Sequence, residues 1–89
     1  MPAMTRRPAT PLSVTGRALT ILAAFDAEHP ALTLSQISRR SGLPPSTTHR
    51  MLGEFIDWGA LVRGRDRRYR IGPRLIRLAE LDGTDTRVA

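Results

Sequence analysis

Eighty-nine residues allow one small domain, and the absence of cysteine leaves neither a disulfide framework nor a thiolate metal site. Fourteen basic residues against eight acidic ones give a net charge of +6, a field that attracts polyanions. The longest apolar run, residues 18–25, is too short to span a membrane and is broken by Thr20, and no apolar stretch follows Arg6 and Arg7 to make a secretory signal, so a cytoplasmic location is expected.

All fourteen basic residues are Arg. Arg forks match phosphates and guanine edges well, but a GC-rich genome also selects Arg, and it receives most of the credit. Position says more than number. From Arg39 to Arg77 ten Arg face only Glu54, Asp57 and Asp66, a local net charge of +7.

In chain order, residues 1–12 (MPAMTRRPATPL) carry three Pro and no periodicity, which predicts a flexible N-terminal arm. Arg6 and Arg7 there are either solvated or brush a DNA backbone or minor groove. A first helix is expected from about Val14 to Ala27, capped by Ser13 or Thr15. Its apolar stripe is Val14, Ala18, Leu22 and Phe25, widened by Leu19 and Ile21, and the charged run before Pro30 ends it. Thr33 and Gln36 fit a capping box, so a short helix should run from Leu34 to Ser41 and stop at Gly42. A third helix follows Pro44 and Pro45, over about 45–58, ending at Gly59.

The period then changes from 3.6 to 2. Leu61 and Val62 begin a strand, Gly64 to Arg67 turn, and the partner strand points Tyr69 and Ile71 inward with Arg68 and Arg70 outward. After Gly72-Pro73 a last helix carries Leu75, Ile76, Leu78, Ala79 and Leu81 as a broad apolar face, and residues 82–89 read as a tail or the start of a linker.

The centre of this arrangement is TLSQISRRSGLPPSTTHRMLGEFIDWG, Thr33 to Gly59. Leu34, Ile37, Leu43, Met51, Leu52, Phe55 and Ile56 give it a sealed inner face, and Ser46, Thr47, His49 and Arg50 are left on the other side of the second helix. That is the layout of a helix-turn-helix, whose second helix enters the DNA major groove. Ser38 supplies the small residue that crossing helices need, and Gly42 the turn. Ser41 and Thr48 are polar where an aliphatic residue is usual, although the Thr48 methyl can still pack. The basic hairpin directly behind it reads as a wing. The fold class expected is mainly α with a small β-hairpin, a winged helix-turn-helix over residues 13–81.

The roles follow from placement. Ser46 and Thr47 lie in the first turn of the third helix, where hydroxyls and free amides can meet a phosphate. Thr47, His49 and Arg50 point toward base edges, and Arg50 suits either a bidentate contact with guanine O6/N7 or a phosphate clamp. Arg39 and Arg40 are placed for backbone contact, and Arg63, Arg65, Arg67, Arg68 and Arg70 for phosphates or the minor groove; for any single one the alternative is a solvated face. Ser46 and His49 share a helical face but have no orienting acid or oxyanion hole, so no hydrolase is expected. His29 and His49 are too isolated for a metal, Asp26, Glu28, Glu54 and Asp57 read as helix-surface charges, and no cofactor is expected. The competing function is a winged-helix protein-interaction module whose Arg residues only solubilise it.

These residues also carry a resemblance. SVTGRALTILAAF, LTLSQISRRSGLPPSTTHRMLGEFIDWGALVR and YRIGPRLIRLA together resemble the N-terminal domain of IclR-type bacterial transcription regulators, over about residues 13–81. Most telling are G-L-P-x-S-T-x-H-R-x-L at Gly42 to Leu52, the Gly-x-x-x-R turn into the wing, and Y-x-I-G before the last helix. The resemblance implies double-stranded operator DNA as partner, bound as a homodimer, with Ser46, Thr47 and Arg50 at the reading positions. It also implies a larger C-terminal domain that senses a small-molecule effector; the chain stops at Ala89, just past the expected linker start. Pro45 departs from the pattern, since a polar or basic residue there would add a DNA contact.

Overall fold

A computed structural model describes residues 13–81; the arm expected over 1–12 and the tail over 82–89 lie outside the described residues. The order is α1 (Val14–Leu22), α2 (Leu34–Ser41), α3 (Pro45–Trp58), β1 (Leu61–Arg63), β2 (Tyr69–Ile71) and α4 (Pro73–Glu80). Helices with one antiparallel hairpin make a winged helix-turn-helix, as the sequence predicts.

Both helices of the central motif begin and end where their punctuation places them. Thr33 Oγ1 accepts from the Gln36 amide at 3.2 Å while Gln36 Oε1 accepts from the Thr33 amide at 2.8 Å, completing the capping box. Gly42 and Gly59 close α2 and α3 with φ of 78° and 93°, a left-handed turn that a Cβ would strain.

The first helix is shorter than expected. Ser13 Oγ caps it through the Gly16 amide at 2.9 Å, but it ends at Leu22 rather than Ala27. Beyond Leu22 the amides of Ala24 and Phe25 reach back only three residues, and Asp26 and His29 then exchange backbone hydrogen bonds in a tight turn. Asp26 Oδ1 accepts from the Glu28 amide at 3.0 Å, the local alternative to helix that Asp offers its backbone. Asp26 and Glu28 therefore belong to a turn, not a helix surface.

The core is Ile21, Ala24, Leu32, Ile37, Met51, Leu52, Leu61 and Tyr69, bordered by Ala18, Leu22, Phe25, Leu34, Leu43, Phe55 and Ile71. Two apolar expectations need correction. Ile21, taken as a flank of α1, is fully buried, whereas Val14 and Leu19 are 65% and 58% exposed. Ile56 stands at the surface rather than in the inner seal. The apolar face of α4 is real but uncovered: no residue of this helix is buried, and Ile76, Leu78 and Leu81 are exposed.

The hairpin pairs Leu61 with Ile71, Val62 with Arg70 and Arg63 with Tyr69. Leu32 joins its edge by two hydrogen bonds with Tyr69, of 3.1 and 2.7 Å, which tie the α1–α2 connection to β2. Where the hairpin closes, the Gly72 amide donates to Ala60 O at 2.7 Å, and a Cβ at Gly72 would stand 2.5 Å from Gly59 O. Only glycine fits that approach. Among the described residues no helix is long and apolar enough to cross a membrane.

Candidate nucleic-acid interface

The junction between α2 and α3 is wired by three hydroxyls. Ser38 Oγ donates to Leu43 O at 2.7 Å, Ser41 Oγ donates to Ser38 O and accepts from the Leu43 amide, both at 3.3 Å, and Thr48 Oγ1 donates to Pro44 O at 2.9 Å. Thr48 is fully buried and Ser38 nearly so. The polar residues that depart from the aliphatic pattern thus take up turn carbonyls that would otherwise be poorly satisfied away from water.

Buried Thr48, Met51 and Leu52 fix the rotation of α3 and leave Ser46, His49 and Arg50 exposed. Thr47 is only half-exposed, so it is less open to a partner than its neighbours. Pro44 is the N-cap and offers no side-chain acceptor, and Pro45 fills the first helical position, where its missing N–H costs nothing. Among the described residues the amides of Ser46 and Thr47 find no acceptor, so they and the helix dipole give the start of α3 a positive end.

The Arg residues divide into two groups. Among the described residues the side chains of Arg39, Arg50, Arg65, Arg67 and Arg68 make no hydrogen bond or ion pair within the chain; Arg68 is half-buried and the others are exposed. Others are engaged. Arg40 Nε donates to Ala24 O at 2.7 Å and Nη2 sits 3.0 Å from Asp26 Oδ2, which pins α2 to the turn that follows α1. Arg74 lies 4.1 Å over the Trp58 ring, and Arg63 lies 5.7 Å from the Tyr69 centroid. Arg70, read from alternation as an outward-facing phosphate ligand, points out of the sheet but spends its guanidinium on Asp66, with Nη2 2.8 Å from Oδ2 and Nη1 3.2 Å from Oδ1.

Two acids are tuned by these contacts. The hydrogen bond from Arg70, then that from the Arg68 amide, holds the Asp66 carboxyl down at about 2. The Asp26 carboxyl is lowered first by its 2.9 Å hydrogen bond with His29 Nδ1. Sequence reasoning missed both as organising residues. The available signal was a lone acid inside a basic turn, R-D-R-R, and an Asp followed by Glu and His before Pro30. Among the described residues no group of three or more His, Cys, Asp or Glu could hold a metal.

Beside the motif, α1, α3 and Leu75 of α4 line an apolar groove of about 370 Å³, with Val14, Met51, Phe55 and Trp58 in its walls.

The IclR helix-turn-helix domain model matches residues 14–65, more than half of the chain. Among solved structures, an IclR homologue from Microbacterium hydrocarbonoxydans complexed with 4-hydroxybenzoate is 42% identical, with a TM-score of 0.74 over 81% of this chain and 30% of its own. An IclR-type regulator from Silicibacter is 33% identical, with a TM-score of 0.72 over 79% of this chain and 27% of its own. HmgR of Pseudomonas aeruginosa is 34% identical, with a TM-score of 0.65 over 76% of this chain and 29% of its own. No curated protein sequence matches the chain. The chain therefore spans less than a third of the length of these regulators. With a hydroxyl-wired turn, an exposed polar face on α3, a basic wing behind them and a family match over residues 14–65, the chain belongs to the IclR family of non-enzymatic, DNA-binding transcription regulators.

Proposed function

We propose that the domain reads a specific double-stranded DNA site, with α3 in the major groove and the β1–β2 hairpin on the adjacent backbone. The observation that carries this reading is the division among Arg residues: among the described residues Arg39, Arg50, Arg65, Arg67 and Arg68 are left unengaged by a fold that ties down Arg40, Arg70 and Arg74. Ser46 and the free amides at the start of α3 take a phosphate, Thr47 and His49 lie at the groove edge, and Arg50 contacts a base. We assign Arg40 to the framework rather than to DNA.

A homodimer is the acting species, and the exposed apolar residues of α1 and α4 offer it surface. Its half-sites then lie one or more helical turns apart, each about 34–36 Å. Effector binding belongs to the remaining length that the larger relatives possess, and regulation takes place in the cytoplasm, where the operator is.

Selection from a random duplex pool with an enforced dimer tests the reading and yields the half-site. Affinity for the selected site should fall steeply with salt, since each phosphate neutralised adds about 0.9 to the slope of log affinity on log salt. Arg50→Ala should relax preference at one base step, by about 1–3 kcal/mol of discrimination, whereas Arg67→Ala should weaken cognate and scrambled duplexes alike. A flat salt response with no duplex retained would favour a protein-interaction module instead.

A further inference from the structure

The tip of the wing runs Gly64-Arg65-Asp66-Arg67-Arg68. The Arg67 amide donates to Gly64 O and the Gly64 amide to Arg68 O, each at 2.9 Å, so three residues form the loop. In such loops the third residue takes the left-handed conformation, a place glycine usually fills. Here it is Arg67, with φ of 66° and no other non-glycine residue in that region among those described. An L-residue with a Cβ resists this conformation, so something must hold it.

Asp66 is the residue in position to do so. Its Oδ1 accepts from the Arg68 amide at 3.1 Å, bridging across Arg67, and its two oxygens take both terminal nitrogens of Arg70. The space beneath the turn is shaped for this pair: a Cβ on Gly64 would stand 2.7 Å from Arg70 Nη1 and 3.0 Å from Asp66 Oδ1. The carboxylate thus ties the backbone just past Arg67 to the Arg70 side chain of β2.

We propose that Asp66 is the positioning residue of the wing, holding Arg67 in its left-handed conformation and Arg70 out of the way so that Arg65 and Arg67 are presented together to phosphates. This rests on the reading of the hairpin as a DNA-contacting wing. It has a consequence opposite to simple charge counting. Removing a carboxylate from a basic surface, and releasing Arg70 with it, should tighten binding to a polyanion; if Asp66 positions the tip, its removal weakens binding.

The test is a four-variant comparison of the 89-residue chain: unaltered, Asp66→Ala, Arg67→Gly, and both together. Each is titrated against a labelled random-sequence duplex at several salt concentrations, with thermal melting alongside. With Arg67 in place, Asp66→Ala should weaken binding on the order of fivefold, the scale of one residue's left-handed strain. Its salt slope should drop by up to about 2 as Arg65 and Arg67 leave their phosphates. In the Arg67→Gly background the loop holds itself, so the same substitution should leave affinity unchanged or raise it. Tighter or unaltered binding by Asp66→Ala alone would overturn the proposal. Equal weakening in both backgrounds, with a lowered melting temperature, would also overturn it, because that is general damage. Failure of the unaltered chain to hold the duplex at low salt would remove the DNA reading itself, and this inference with it.

Discussion

The α2–α3 junction and the wing tip are both tight turns that set side chains against a partner, yet they are held by different physics. At the junction, short neutral hydrogen bonds from Ser38 and Thr48 reach backbone carbonyls beside fully buried Ile37 and Leu52. At the tip, an exposed ion pair between Asp66 and Arg70 restrains a backbone strained at Arg67. Buried neutral hydrogen bonds are insensitive to salt and to protonation, whereas an exposed pair is screened and titrates. The start of α3 is therefore held by contacts that neither salt nor protonation weakens, and the wing tip is the adjustable part.

The largest effect is expected at Gly72, where the hairpin closes against the end of α3. Gly72→Ala puts a methyl 2.5 Å from Gly59 O and 3.0 Å from Leu61 N, both backbone atoms unable to move aside. We expect a loss of about 2–3 kcal/mol, seen as a lower melting temperature. Smaller effects separate two of the junction's three hydroxyls. Ser38→Ala removes the 2.7 Å donor to Leu43 O and leaves that oxygen only the 3.5 Å contact from Thr48, at a cost of about 1–2 kcal/mol. Thr48→Val should cost less than about 1 kcal/mol, because Pro44 O keeps the Thr48 amide at 2.9 Å. Thermal unfolding of the pair would refute the assignment if Thr48→Val proved the more damaging.

The smallest effect is local and concerns pH. Asp66 titrates at about 2 in the folded chain, below its ordinary 3.8, so its contribution is complete above roughly pH 4 and is lost as pH falls through 2. Amide resonances of Arg67 and Arg68, followed by NMR, should move with a midpoint near 2, while those of Ser38 and Thr48 show no matching step. A midpoint near the ordinary value would mean that the ion pair does not form in solution.

How much of this was legible in the residues depended on the range of the forces involved. α2 and α3 were readable to their ends because Thr33, Gln36, Gly42 and Gly59 act on neighbours three or four positions away. The end of α1 was not: Asp26 turns the backbone back on itself, and Arg40 takes the Ala24 carbonyl from sixteen positions away, neither of which periodicity records. The face of α4 was read correctly as apolar, but pattern alone cannot say whether a partner within the same chain covers it. At the interface, the basic character of the wing was plain, whereas the sorting of its Arg residues into free and engaged depended on where one acid, Asp66, sits in the turn.

The closure at Gly72 has a consequence for how such a domain changes over evolutionary time. Its amide meets Ala60 O, and the Arg74 amide meets Gly59 O at 3.2 Å, so the two ends of the hairpin are fastened together at one point. A segment with its two feet pinned together can lengthen or shorten without moving what lies beneath it, and doubling a flexible loop costs only about 0.6 kcal/mol in closure entropy. The tip of the wing is thus the replaceable part: its reach and charge can change while Leu61 and Tyr69 stay in the core and α3, seated on its own side of that fastening, keeps its place.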